Sequence, residues 1–197
     1  MPQTFRPLLL CPCCLAETPA EARDYGPSIC PICFWEDDPN AEGEPRGESS
    51  VNGLSLLQAR GGFLRCGAVK EDFADLTRPA APSEMPRWPL RSTETGEIIG
   101  KRMTQKSDWV FFLQMTLEMA RYDDDLIGFR KLFKALDSLY AGMVDLDREF
   151  DLLLSEPIRG LDMQLGLMSG EREQPSQEDR AYIQAYTTQL RTLLTLP

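Results

Sequence analysis

The sequence predicts an α+β chain, with a small cysteine-rich module at the front and a mainly α-helical C-terminal region behind it. Two observations predict this. Cys11, Cys13, Cys14, Cys30 and Cys33, five of the six cysteines, crowd the N-terminal part. From Ser107 onward, apolar residues recur at spacings of three and four, the period of a helix face. Between the two patterns, Pro79, Pro82, Pro86 and Pro89 break helices and favour extended backbone. The expected division is a module over 1–75, a connector over 76–106 and a helical region over 107–197.

The module carries chemistry with a fixed geometry. Cys11-Pro12-Cys13-Cys14 and Cys30-Pro31-Ile32-Cys33 are two Cys-x-x-Cys turns separated by fifteen residues. A Cys-Pro-x-Cys turn aims two thiolates into one pocket, and two such turns supply the four sulfurs of a tetrahedral structural zinc site. Cys11, Cys14, Cys30 and Cys33 are the expected ligands of a structural Zn²⁺, in a zinc-ribbon-like module with four cysteine ligands. Cys13 is surplus: it either replaces Cys11 or Cys14, or lies beside the ion. Cys66, amid Phe63, Leu64 and Ala68, reads as a small buried hydrophobe. A turn-rich segment of this size has a thin core, and a structural ion adds on the order of 10 kcal/mol to folding. The rivals are weaker. A redox Cys-x-x-Cys opens a helix in a βαβ unit, whereas both motifs here lie among turns. An iron–sulfur cluster has the same ligand type.

Composition narrows the chemistry. The chain has 21 basic and 31 acidic residues and no histidine. Histidine is the usual near-neutral general base, so a Ser-His-Asp or Cys-His machine cannot be assembled from these residues. The acidic balance repels phosphate backbones and anionic lipid and steers toward basic partners. No apolar stretch approaches the roughly 18 residues that span a membrane, and the N-terminal leucine run is too short for a signal-peptide core. The expected setting is a reducing cytoplasm, which favours metal over disulfide.

The connector is locally basic, with Arg78, Arg87, Arg91, Lys101, Arg102 and Lys106 against Glu84, Glu94 and Glu97. Thr95-Gly96 is suited to turning a small hairpin. In the helical region Ser107 is the expected N-cap of a helix with Trp109, Phe112, Leu113, Leu117 and Ala120 on its apolar face. Asp123, Asp124 and Asp125 suit a helix N-terminus. The stripe from Phe129 through Leu132, Phe133, Leu136, Tyr140, Met143, Leu146 and Phe150 to Leu153 predicts one long helix, kinked at Gly142 and ended by Pro157. Gly160, Gly166 and Gly170 read as loose connections. Ser176 with Asp179 forms a capping-box-like start for a last helix, its face being Tyr182, Ile183, Tyr186, Leu190 and Leu193. Three such helices imply an antiparallel bundle or a helical layer.

Cys-Pro-Cys-Cys, then Cys30-Pro31-Ile32-Cys33-Phe34-Trp35-Glu36-Asp37-Asp38, then Asn52-Gly53-Leu54-Ser55-Leu56 through Ala59-Arg60 and Gly67-Ala68, resembles the bacterial cysteine-rich CPCC domain family over about residues 9–72. Leu15 departs from the family, where glycine is expected after the first turn. Cys66 departs too, where a bulky apolar residue is expected. The resemblance implies a small metal-binding module of bacterial proteins and no defined reaction. It also implies likeness to small proteins encoded beside secreted toxins, and hence an immunity role.

The functional expectation is a non-enzymatic binding protein that neutralises a basic toxin domain by covering its active site. Glu36, Asp37, Asp38, Asp145 and Asp147 are the candidate partner-binding residues, with Trp35 packing on the second turn. The alternative is a zinc-ribbon module in a nucleic-acid or transcription-related complex, contacting it through Arg87, Trp88, Arg91, Lys101 and Arg102. A paired-carboxylate hydrolase is the remaining class, and no residue pattern places such a pair in a pocket.

Overall fold

The computed structural model describes residues 8–19, 28–89, 100–167 and 176–194. The chain divides into two compact units, Met1–Pro86 and Arg87–Leu196. The expected Thr95-Gly96 hairpin, Arg91 and Gly170 lie outside the described residues.

In the front unit, β1 (Leu8–Leu10) and β2 (Glu17–Pro19) form an antiparallel hairpin, with Leu8 opposite Pro19 and Leu10 opposite Glu17. The first cysteine turn is the tip of that hairpin. An isolated bridge between Ile29 and Glu36 flanks the second turn in the same way. A short helix, α1 (Pro39–Gly43), starts at Asp38, whose carboxylate accepts from the Asn40 N–H. Strands β3 (Glu48–Ser49) and β4 (Leu54–Ser55) pair antiparallel and lead into α2 (Leu56–Cys66). Helix α2 has a full capping box: Ser55 Oγ accepts from Gln58 N, and Gln58 Oε1 accepts from Ser55 N. It ends at Gly67 with φ 78°, a left-handed cap open to glycine at no steric cost. Two 3₁₀ turns follow, Glu71–Leu76 and Pro82–Glu84. Arg78 clamps the second through paired 2.7 Å bonds to both oxygens of Glu84.

The back unit has four helices among the described residues: α3 (Lys106–Asp123), α4 (Phe129–Gly142), α5 (Arg148–Leu167) and α6 (Gln177–Leu194). Helices α3 and α4 pack together, as do α5 and α6. An aromatic cluster lies in its core. Trp88 stacks on Phe150 at 5.0 Å between centroids, and Phe112 meets both rings edge-on. Trp88 is fully buried, and its indole N–H donates to the Asp145 carbonyl at 3.2 Å. The segment before α3 is held by a bridge between Arg87 and Arg102. Gly100 sits there because an added Cβ would lie 2.1 Å from the Trp88 carbonyl.

The structure corrects several expectations. The single long helix is two helices. The stripe runs on, but the Asp108 carboxylate captures the backbone N–H groups of Val144 and Asp145 at 3.0 and 2.9 Å. Those groups are therefore withdrawn from a helical ladder, and Met143 turns extended. Helix α5 begins afresh, with Asp147 Oδ1 accepting from Glu149 N. Pro157 lies inside α5 instead of ending it. Asp123 closes α3 and Asp124 caps its C-terminal end, so this acidic run marks a helix end and not a start. The first helix starts at Gln105 without a side-chain cap, so Ser107 does not cap it. Gly160 and Gly166 are helical. A Cβ on Gly160 would lie 2.3 Å from the Tyr186 ring, so glycine there permits close approach of α5 and α6. Tyr182 and Leu153 are about half exposed and lie off the buried faces. The Ser176–Asp179 start of the last helix is reciprocal: Asp179 N donates to Ser176 Oγ, and Ser176 N donates to Asp179 Oδ2.

Replacing Asp108, which is fully buried, with Ala strands two backbone donors. The expected loss is about 2–4 kcal/mol of stability by denaturant unfolding, since single bonds to charged groups contribute about 1.5–3 kcal/mol. A loss below about 0.5 kcal/mol would remove Asp108 as the reason the helix breaks.

Candidate metal centre

The two cysteine turns are copies of one backbone design. In the first, Leu15 N donates to Cys11 O at 2.8 Å and Cys11 N to Ala16 O at 2.9 Å. In the second, Phe34 N donates to Cys30 O at 2.8 Å and Cys30 N to Trp35 O at 2.9 Å. Each turn closes through a residue with positive φ: Leu15 at 67° and Phe34 at 66°. Glycine takes that conformation freely, whereas a side chain there costs about 1 kcal/mol or more. The cost is offset because Leu15 is buried and Phe34 packs on Phe73 at 4.8 Å between ring centroids. The departure from glycine at Leu15 thus leaves the turn unchanged.

The turns converge. The Sγ atoms of Cys11, Cys14, Cys30 and Cys33 all lie within 4.8 Å of one another, and all four residues are completely buried. Cys11 and Cys33 are 3.6 Å apart at sulfur, and Cys14 and Cys30 are 3.8 Å apart. No disulfide joins any of the six cysteines. A metal–sulfur bond of about 2.3 Å in a tetrahedron requires a sulfur–sulfur edge of about 3.8 Å. The donor set therefore fits a single tetrahedral ion held by thiolates. An iron–sulfur cluster would hold its ligands wider apart, around its own core of metal and sulfide.

The cluster's protons follow from its burial. Burial pushes the Cys11 thiol up to about 11, and raises Cys14 and Cys33 well above their ordinary range. Cys30 is lowered, because the thiols of Cys11, Cys14 and Cys33 donate to its sulfur and the Ile32 N–H adds a further bond. With a cation, all four release their protons.

Other residues lock the turns. Asn52 pairs its side-chain amide with the backbone of Glu36, accepting from its N–H at 2.9 Å and donating to its carbonyl at 2.8 Å. Val69 N donates to Cys33 O at 2.8 Å, and Arg78 N to Pro31 O at 3.0 Å. Gly62 allows α2 to lie against this region, since a Cβ would meet the Val69 carbonyl at 2.1 Å. Arg60, on α2, is buried and reaches the first turn, where Nε and Nη2 both donate to Pro12 O at 3.2 and 2.9 Å. Sequence reasoning misses this role of Arg60. Its signal is a basic residue on the helix stripe Leu56, Ala59, Arg60.

Cys13 is buried outside the set of four, although its thiol bonds with Cys33. Cys66 is exposed, which corrects the expected buried hydrophobe: it ends α2, with its sulfur 3.3 Å from Gly62 O.

The acidic candidates have internal partners. Asp38 is buried, capping α1 and accepting from Ser49 Oγ at 2.7 Å, and Ser49 first, then the amides, hold its carboxyl below the usual range. Asp145 accepts from Lys101 Nζ at 2.6 Å and from the Thr104 hydroxyl, which lower its pKa. Burial works to raise Asp147, but amides of Lys101, Glu149 and Phe150 and the Lys101 charge bring it below its ordinary value. Glu36 and Asp37 are half-buried beside the second turn. Trp35 is fully buried and so packs under that turn.

Residues 9–84 match the family model described as Cysteine-rich CPCC. The front unit is a cysteine-rich CPCC domain, and its four buried cysteines form a cluster suited to binding a metal ion. A comparison with curated proteins found no match to the chain, and a comparison with solved structures found none.

Two outcomes test the ligand set. Cys13→Ser should retain one equivalent of bound metal, whereas Cys14→Ser or Cys30→Ser should lose it at equal chelator. Calorimetry in buffers of different ionisation enthalpy should report net proton release when a divalent ion binds near neutral pH, because the cysteines bind it as thiolates. No net proton release would mean the cysteines are not the ligands.

Proposed function

We propose that the front unit is a structural zinc module and that the chain is a non-enzymatic binding protein. The observation that carries this reading is closure: four cysteine sulfurs within 4.8 Å of one another, all fully buried, would complete a four-coordinate ion and leave no open position for a substrate or water. Zinc favours sulfur donors and accepts a tetrahedron without electronic preference. With no histidine in the chain, the side chain most often used for proton transfer near neutral pH is absent.

The finer reading is an immunity protein of a bacterial cytoplasm that neutralises a co-encoded basic toxin domain by occluding its active site. The charge of 21 basic against 31 acidic residues supports a basic partner. So does the acidic surface near the second turn. Burial, then the like charges of Asp37 and Asp38, raise the Glu42 carboxyl, and Glu42, Glu44 and Glu48 are exposed. Nothing favours the nucleic-acid reading: Trp88 is buried and has no face for a base to stack on. No helix among the described residues is long and apolar enough to cross a membrane.

Metal analysis of protein purified without chelator should find one zinc per chain. A folded, metal-free protein would end the zinc assignment. A partner that co-purifies from the native host should be inhibited at one-to-one stoichiometry, with an association rate that falls as salt rises. A partner that stays fully active in the complex, or a rate indifferent to salt, would remove the steered-occlusion reading.

A further inference from the structure

We infer that Arg60 is the internal counter-ion of the four-sulfur centre, setting its preference for the more negative, divalent-loaded state. This rests on the metal reading above. Arg60 is 7 % exposed and is the one buried lysine or arginine among the described residues. It enters no ion pair with a carboxylate among them. The guanidinium's bonded partner is the Pro12 carbonyl, between two cysteines of the first turn. A carbonyl satisfies hydrogen bonds but contributes no net charge, and a buried charge without a counter-charge is strongly disfavoured. Burial pulls Arg60 below its ordinary pKa, while Cys13 and then Cys11 act in the opposite sense. A guanidinium stays charged regardless.

Among the described residues, the negative charge that acts on Arg60 comes from the cysteines of the first turn. Four thiolates around a divalent ion leave two net negative charges in a buried site. Around a trivalent ion they leave one. A cation fixed beside the first turn therefore stabilises the divalent-loaded centre more than the trivalent one. Arg60 is a positioning and charge-compensating residue, not a ligand.

The test uses the full chain with Arg60→Met, which removes the charge, and Arg60→Lys, which keeps it. In competition with a chromophoric chelator, wild type should bind one Zn²⁺. Arg60→Met should bind about 10–100-fold more weakly and Arg60→Lys within about threefold of wild type. The same proteins are then loaded with Fe²⁺, and the Fe³⁺/Fe²⁺ midpoint is measured by reductive titration. Arg60→Met should lose about tenfold more affinity for Fe²⁺ than for Fe³⁺, a midpoint lower by about 59 mV. A merely structural role weakens both ions equally, so an unchanged midpoint overturns the proposal. If Arg60→Met cannot be loaded, loading of Arg60→Lys supports it, and failure of both overturns it in favour of the Pro12 bonds. An Arg60→Met effect that vanishes in a Cys13→Ser background makes Cys13 the counter-charge and also overturns it. A wild type that binds no metal defeats the metal reading itself, a result distinct from all of these.

Discussion

Four sulfurs fully withdrawn from water, with paired separations of 3.6 and 3.8 Å, form the constraint on which the front unit depends. Such a group cannot carry four negative charges in a protein interior without a cation among them. As neutral thiols, the four would make only weak hydrogen bonds to one another. The surrounding chain is organised to bring them together nonetheless. A hairpin carries one turn and a bridged loop carries the other. Asn52, Val69 and Arg78 tie the second turn to the segments that follow it. The strands in this unit are only two or three residues long, so ladder hydrogen bonding alone supplies little cohesion.

The back unit is held by different means. Its core is an aromatic cluster of Trp88, Phe112 and Phe150 with leucines from α3, α4 and α5. Its polar interior is economical. Asp108 serves two amides, Thr187 bonds back to Ile183 O at 2.8 Å, and the Trp88 indole finds the Asp145 carbonyl. Asp145 and Asp147 belong to this scaffold: through Lys101 they fasten the segment before α3 to the start of α5. Both remain partly exposed, beside Lys101 at the surface.

What was legible in the sequence was whatever has a short-range geometric signature. The Cys-x-x-Cys spacing named the four clustered sulfurs, and the three-and-four periodicity named the helical region. Ser176 with Asp179 announced the last helix. Several of the errors share a cause, which is tertiary override of a local pattern. The stripe from Phe129 to Leu153 is continuous, and only Asp108, far upstream, breaks it. Pro157 resembles a stop but is carried inside α5, where packing outweighs the missing N–H. Gly160 resembles a loop residue until Tyr186 is seen against it. The role of Arg60 shows only once α2 is placed beside the first turn. None of these partners is near in sequence, so no local rule reaches them.

The left-handed residues of the two turns restrict how these loops can drift over evolutionary time. Substituting glycine for Leu15 or Phe34 would relax the backbone, yet it would also delete an apolar anchor from the core or from Phe73. A larger or β-branched residue would keep the anchor and aggravate the backbone. The two pressures oppose each other at both sites, so tolerated replacements should be few. Compensation, where it arises, should appear in the neighbours that receive these side chains.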